Sequence, residues 1–143
     1  MKHLYDFLTD KLKKQNIRLS SRRLKVLEYL CQNSNHPTVD QIYVSIQQKV
    51  PNLSRTTIYN TLHILIKAGL VRVIAIEDHE TRYEIVTKDH GHFKCEKCGT
   101  IFDFKLDLAT LVTEELINFQ ITDKNVYFKG ICPNCLATAE DHP

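Results

Sequence analysis

Two Cys-x-x-Cys pairs, Cys95 with Cys98 and Cys132 with Cys135, constrain the fold of this 143-residue chain more than any other feature. Thirty-three residues separate the pairs, and four thiolates in this pattern are typical of a tetrahedral zinc site. Such a site leaves no coordination position open, so the zinc would be structural and would stabilise the C-terminal part of the chain. Two redox dithiols or a disulfide are the alternatives.

The charge distribution divides the chain into two parts. Residues 1–89 carry a net charge of +5 and residues 90–143 a net charge of −3. A basic front half and an acidic back half suggest two domains, of which the first meets an anionic partner. Ordinary solvated charge is the alternative. We predict domains at residues 1–86 and 87–143.

The start of the chain shows no signal peptide, and no segment is long and apolar enough to span a membrane. We therefore predict a cytoplasmic protein with no membrane partner. In that compartment paired cysteines more often bind metal than form disulfides. The fifth cysteine, Cys31, falls on an apolar helical stripe and is predicted to be a core residue.

Helical spacing of apolar residues predicts four helices before residue 70. The first carries Phe7, Leu8 and Leu12 on its inward face. The capping residues are Ser20 or Ser21 for the second helix, Thr38 with Gln41 for the third, and Ser54 for the fourth. Gly69 ends the fourth helix.

After Gly69 the pattern alternates as in β-strands, over "LVRVIAI" and "TRYEIV", which an acidic turn joins. Helices followed by a two-stranded hairpin predict a winged helix-turn-helix. The outward face of the fourth helix is dense in groups that contact phosphates and base edges. These residues are Arg55, Thr56, Thr57, Tyr59, Asn60, His63 and Lys67. We interpret this face as a reader of double-stranded DNA, and a solvated polar face is the alternative.

The back half alternates strands with one helical segment. "GTIFDF" and "KNVYFKGI" are predicted strands, and "LDLATLVTEELINF" is a predicted helix. The apolar positions of that helix are Leu108, Leu111, Val112, Leu116 and Phe119. This α/β domain has too little core to be stable alone, which favours self-association. The overall fold class is therefore α+β, with an N-terminal winged helix-turn-helix and a small C-terminal α/β dimerisation domain.

His90 and His92 precede the first cysteine pair and are two residues apart. In a strand, both side chains point to the same side and can meet one metal. Glu84 lies in the preceding strand, Asp103 in the next, and His36 in the first domain. Three imidazoles and two carboxylates suit Fe²⁺, Mn²⁺ or Zn²⁺. Incidental histidines are the alternative.

The chain from Lys11 to Leu136 resembles the ferric uptake regulator (Fur) family of metal-dependent repressors. The motifs that carry the resemblance are "HPTVDQIY", "PNLSRTTIYNTLHIL", "RYEIV", "DHGHFKCEKCGTIFDF" and "GICPNC". The resemblance implies a homodimer with structural zinc on the four paired cysteines. It also implies a regulatory Fe²⁺ or Mn²⁺ between the domains, on His36, Glu84, His90, His92 and Asp103.

The branch of the family is indicated by single positions. Asn60 after Tyr59, "HPT" and "FDF" resemble the peroxide-sensing branch, whereas iron-uptake regulators usually carry Arg at position 60. Glu84 departs from that branch, which typically carries Asp there. The resemblance implies a peroxide-responsive repressor acting through Fe²⁺, with an iron-responsive or other divalent-metal-responsive repressor as the alternative.

Two other classes of protein explain the sequence less well. A metallohydrolase or Cys-x-x-Cys oxidoreductase would need a nucleophile or acid–base motif beside the histidines, and none accompanies them, so we predict that the chain is not an enzyme. A zinc-ribbon scaffold that binds RNA or protein would leave the histidine–carboxylate set unexplained.

Overall fold

The computed structural model describes residues 2–77, 79–87, 90–111 and 113–140. The chain divides into two compact units, Met1–Val86 and Thr87–Pro143, each with its own sheet. The fold class is α+β, as predicted. Within the described residues, no helix combines the length and apolar character that crossing a membrane requires.

The first unit consists of four helices and a two-stranded sheet. Its elements are α1 Lys2–Lys14, α2 Ser21–Gln32, α3 Val39–Gln47, α4 Arg55–Lys67, β1 Val71–Ile74 and β2 Arg82–Ile85. The strands pair antiparallel, with Arg72 opposite Glu84. Three packed helices followed by this hairpin form the predicted winged helix-turn-helix, preceded by α1.

Helices α2, α3 and α4 begin at predicted capping residues, and α4 ends before the predicted glycine. Ser20 accepts a hydrogen bond from the backbone of Arg23, and Ser54 from that of Thr57. Thr38 and Gln41 form the predicted capping box at the start of α3, with hydrogen bonds of 3.2 and 3.0 Å. Gly69 follows α4 with a φ of 78°, a conformation that glycine adopts without strain.

The core of the first unit lies between α2, α3, α4 and the hairpin. Its fully buried side chains include Val26, Leu27, Ile42, Ile58 and Leu65. Cys31 belongs to this core, and burial raises the pKa of its thiol to about 11, so it packs as a neutral group. One predicted inward residue is wrong: the Phe7 side chain is 56% exposed. Its ring lies instead beneath the ammonium of Lys11, 4.7 Å from the ring centre.

The second unit is built on a three-stranded sheet. Its elements are β3 His90–Cys95, β4 Ile101–Lys105, β5 Tyr127–Gly130, α5 Pro133–Glu140 and two 3₁₀ turns at Leu108–Leu111 and Glu114–Leu116. The strand order is β4-β3-β5, with β4 antiparallel and β5 parallel to β3. The central strand therefore carries both predicted histidines and ends at the first cysteine.

The two faces of this sheet differ in chemistry because successive residues of a strand alternate. One face carries His90 and His92 of β3, with Asp103 opposite His92 on β4. We call the other the phenylalanine face, and it consists of Phe93, Phe102, Phe104 and Phe128 beside Gly91. The rings of Phe104 and Phe128 stack with centres 5.1 Å apart.

The helix predicted over residues 106–119 is wrong. The segment forms only the two short 3₁₀ turns, and Val112 lies outside the described residues. The side chains of Leu111, Leu116, Ile117 and Phe119 are exposed, from 38% for Leu116 to 65% for Phe119. Most helical stability comes from packing an apolar face, and within the described part of this chain nothing covers these side chains. Helix α5 was not predicted, although Pro133 suits its first position.

Candidate metal centres

The four paired cysteines form one cluster in the second unit. Cys95 ends β3, Cys98 lies in the turn before β4, Cys132 precedes α5 and Cys135 lies within it. Their sulfurs all lie within 4.8 Å of one another. Contacts run between the pairs, from Cys95 to Cys135 at 3.7 Å and from Cys98 to Cys132 at 3.9 Å. The pairs therefore make a single site, not two separate dithiols.

The geometry of this cluster fits a zinc ion. A tetrahedral site with Zn–S bonds of about 2.3 Å places its sulfurs about 3.8 Å apart. Backbone N–H groups of Cys98 and Cys132 donate to the Cys95 sulfur, each at 3.4 Å. These hydrogen bonds lower the pKa of the Cys95 thiol to about 6, so that a thiolate forms at neutral pH. Hydrogen bonding with the Cys132 sulfur, together with burial, raises the pKa of the Cys135 thiol, and a bound cation would instead favour its thiolate.

A second set of donors lies on the other face of the same sheet. The Nε2 atoms of His90 and His92 are 3.1 Å apart, and the Nε2 of His92 is 3.5 Å from an Asp103 oxygen. Two imidazole nitrogens bound to one ion at about 2.1 Å and at right angles lie about 3.0 Å apart. His92 is 2% exposed, whereas Asp103 is half exposed. The strand register thus brings together these three predicted ligands.

The first unit brings together the other two predicted ligands. His36 lies in the loop before α3 and Glu84 on β2, and both side chains are buried. The Nε2 of His36 is 3.4 Å from a Glu84 carboxylate oxygen. A buried imidazole beside a buried carboxylate is a donor pair that suits a borderline divalent ion.

The predicted DNA face is exposed on α4. Arg55, Thr56, Tyr59, Asn60, His63 and Lys67 are exposed, whereas Thr57 is half buried. The Thr57 hydroxyl lies 3.0 Å from that of the capping residue Ser54, so it takes part in the helix start. The face available to a ligand therefore begins at Arg55 and centres on Tyr59 and Asn60.

Sequence reasoning missed the contacts that hold Arg55. Its guanidinium donates to Asp40 of α3 at 2.8 Å and lies 4.0 Å from the centre of the Tyr43 ring. These contacts join the two helices of the helix-turn-helix. Asp40 is fifteen residues from Arg55, and no local sequence signal indicates a pairing over that distance.

Residues 14–129 match the ferric uptake regulator family, which is most of the chain. The chain belongs to the ferric uptake regulator family. The predicted resemblance is confirmed, and with it the prediction of a regulator rather than an enzyme. The four-cysteine cluster and the histidine–carboxylate pairs thus occur in a member of a family of metal-dependent regulators.

Among curated relatives, this Fur-family chain is 35% identical to the peroxide operon regulator of Bacillus subtilis, over 92% of both chains. Among solved structures, it is similar to the ferric uptake regulator of Helicobacter pylori, with a TM-score of 0.74 and 24% identity over 94% and 93% of the two chains. It is also similar to PerR of Streptococcus pyogenes, described for peroxide sensing and gene regulation. The TM-score there is 0.54, with 33% identity over 92% of both chains.

Proposed function

We propose that this chain is a metal-dependent transcriptional repressor that binds double-stranded DNA as a homodimer and responds to peroxide. The observation that carries the proposal is that each of the two units holds its own group of nitrogen and oxygen donors. The winged-helix unit contributes His36 and Glu84, and the sheet unit contributes His90, His92 and Asp103. Neither pair nor triad supplies a full ligand shell by itself, so we infer that they serve one ion together.

The regulatory role follows from where these ligands lie along the chain. Ligands shared by two units restrict their relative orientation when an ion is bound. Two recognition helices of a dimer reach successive major grooves only at a spacing of about 34 Å. An ion that favours the DNA-binding orientation raises DNA affinity, and DNA raises the affinity for the ion by the same factor. The unit boundary at residues 86 and 87 is the hinge in this proposal.

The structural zinc is assigned to the cluster of Cys95, Cys98, Cys132 and Cys135. The sulfur spacings of 3.7 and 3.9 Å and the lowered pKa of Cys95 support this assignment. The cluster joins the turn after β3 to the start of α5. Zinc there would hold both ends of the second unit together and contribute directly to its folding.

Self-association is supported by the exposed apolar side chains of the second unit. They include Phe102 and Phe128 of the phenylalanine face and, beyond the sheet, Leu111, Leu116, Ile117, Phe119 and Ile121. Many exposed apolar side chains in one small unit are typical of an interaction surface. We assign it to a second copy of this chain, which would also supply the packing partner that residues 106–119 need to form a helix.

DNA recognition is assigned to the exposed face of α4. Tyr59, Asn60 and His63 lie where base edges would be read, while Arg55 and Thr56 lie at the helix start, where phosphates bind. Such a repressor would act in the cytoplasm, with the DNA that it binds.

Peroxide responsiveness is supported by Asn60 and by the names of relatives, such as the peroxide operon regulator of B. subtilis. Ferrous iron on a nitrogen–oxygen donor set supplies one-electron chemistry with hydrogen peroxide, which Mn²⁺ does not readily undergo. One imidazole, that of His36 or of His90, would gain one oxygen atom from the peroxide, and the other oxygen atom would leave as water. Glu84, one methylene longer than the usual Asp, favours an iron-responsive repressor as the second candidate.

The proposal is tested by metal-dependent DNA binding. Zinc-loaded protein, prepared without oxygen, is mixed with random-sequence duplex DNA, and bound duplexes are selected with and without Mn²⁺. We expect enrichment of a two-fold symmetric sequence only with Mn²⁺, and its loss in His36→Ala. His3→Ala, which changes an exposed histidine of α1, is the matched control. Equal enrichment without Mn²⁺, or in His36→Ala with Mn²⁺, would overturn the proposal.

A further inference from the structure

The side chain of Arg82 on β2 is 14% exposed and makes polar contacts in two directions. On one side, its Nη1 donates to the backbone carbonyl of His36 at 3.0 Å. On the other, its Nε donates to Glu77, and its Nη2 lies 3.5 Å from Glu80. Both carboxylates belong to the turn between the strands of the hairpin. Arg82 therefore connects that turn to the loop that carries a predicted metal ligand.

The loop that Arg82 holds has an unusual backbone. His36 has a φ of 55°, in the left-handed region that residues other than glycine seldom adopt. Such a conformation persists only where the surroundings enforce it. Two further contacts come from the same strand: Tyr83 donates its backbone N–H to the Pro37 carbonyl at 3.0 Å, and Thr38 pairs with Arg82.

Strand β2 thus performs two tasks two residues apart. Glu84 provides a carboxylate 3.4 Å from the His36 imidazole, while Arg82 and Tyr83 donate to the backbone carbonyls of His36 and Pro37. The position of the imidazole relative to the carboxylate depends on the φ of His36, because a left-handed residue directs its side chain differently from an extended one. Whatever fixes that backbone also fixes the spacing of the donor pair.

We propose that Arg82 is a positioning residue for the regulatory metal site: it holds His36 in the left-handed conformation that aims its imidazole beside Glu84. This inference rests on the proposed function of that site. Arginine suits the task because its planar fork donates to a carbonyl and to carboxylates at once, whereas lysine offers a single point of charge. Glu77 anchors the guanidinium and so acts one step further from the metal.

The test is Mn²⁺ affinity, measured by calorimetry on the zinc-loaded full chain. Arg82→Met should weaken Mn²⁺ binding by about tenfold or more, the usual effect of removing a group that orients a ligand. The Mn²⁺ affinities of Arg82→Lys and Glu77→Gln should lie between those of Arg82→Met and the unchanged protein. Arg22→Met is the matched control, since it removes an exposed arginine in the first turn of α2 and should leave Mn²⁺ affinity unchanged.

Two further measurements separate positioning from general stability. Zinc content and the melting temperature without Mn²⁺ should be preserved in Glu77→Gln, although its Mn²⁺ affinity falls. The electron paramagnetic resonance spectrum of bound Mn²⁺ should change in Arg82→Lys but not in Arg22→Met, because only the former alters the ligand geometry. Unchanged Mn²⁺ affinity in Arg82→Met would overturn the inference. Should Arg82→Met fail to fold, unchanged affinity in both milder variants would overturn it.

His36→Ala distinguishes failure of this inference from failure of the proposed function. If the unchanged protein binds Mn²⁺ and His36→Ala does not, the site is correct, and the Arg82 variants alone decide the inference. If His36→Ala binds Mn²⁺ as tightly as the unchanged protein, the regulatory site itself is wrong, and the role of Arg82 fails with it.

Discussion

Replacing Gly91 by alanine should destabilise the second unit, because the added methyl group would collide with the ring of Phe104 on the neighbouring strand. A Cβ atom at position 91 would lie 2.3, 2.5 and 2.9 Å from three ring atoms of Phe104. All three distances are shorter than carbon atoms tolerate, so the ring must move away. Gly91 lies between His90 and His92, so the displacement affects the sheet at the point where two predicted metal ligands are held.

The expected loss is about 2 kcal/mol. Overpacking of this kind costs about 1–3 kcal/mol. Moving the Phe104 ring also breaks its stack on Phe128, where the centres are 5.1 Å apart and the planes 18° apart, a contact of about 1 kcal/mol. Against these losses, alanine in a strand is favoured over glycine by about 0.5–1 kcal/mol. The steric cost therefore exceeds the conformational gain.

Chemical unfolding of zinc-loaded protein at one fixed concentration measures this loss, because association makes apparent stability concentration-dependent. Gly130→Ala is the matched control on β5: its Cβ would meet the Phe93 ring at 3.3 Å, so we expect a change below about 1 kcal/mol. Phe104→Leu removes the ring atoms. Added to Gly91→Ala, it should recover most of the stability that the glycine change costs. Equal effects of the two glycine changes, or no recovery with leucine, would refute the reasoning.

Three further changes test other parts of the chain. Thr38→Ala removes half of the capping box of α3 and should cost about 1 kcal/mol in thermal unfolding with zinc content unchanged, and an unchanged melting temperature would contradict the role of the cap. Asn60→Arg should change which duplex is selected from a random library, because this exposed position should reach base edges, and an unaltered sequence ranking would exclude it from recognition. Cys95→Ser should lose zinc and the dimer together, as measured by elemental analysis and size-exclusion chromatography. A dimer that persists with an unchanged melting temperature would refute structural zinc at that cluster.

Features that depend on neighbouring residues were predictable from the sequence. The hydrogen bonds of Ser20, Thr38 and Ser54 close within three residues, so residue type and spacing suffice to predict them. The role of Gly69 was also predictable locally, because a glycine with a positive φ, here 78°, commonly follows the last turn of a helix. The cysteine cluster was predictable for a chemical reason, because few structures other than a metal site use two Cys-x-x-Cys pairs in one domain.

Features that depend on distant or missing partners were not predictable. The apolar spacing of residues 106–119 predicts a helix, but nothing within the described residues covers that face, and the segment forms 3₁₀ turns. Phe7 fits an inward stripe by its spacing but packs against Lys11 at the surface. The pairs Arg55–Asp40 and Arg82 with the His36 carbonyl join residues 15 and 46 positions apart. Tertiary packing alone creates such contacts.

The measurement that tests the central claim most directly is the response of metal-loaded protein to hydrogen peroxide. Protein prepared without oxygen is loaded with Fe²⁺ or with Mn²⁺, bound to its selected duplex, and treated with peroxide. We expect the iron form to gain the mass of one oxygen atom on the peptide that holds His36 or His90 and to release DNA, while the manganese form does neither. Glu84→Asp should speed the gain. If the iron form gains no oxygen and keeps its DNA, even with Glu84→Asp, peroxide sensing is contradicted and the chain is an iron-responsive repressor.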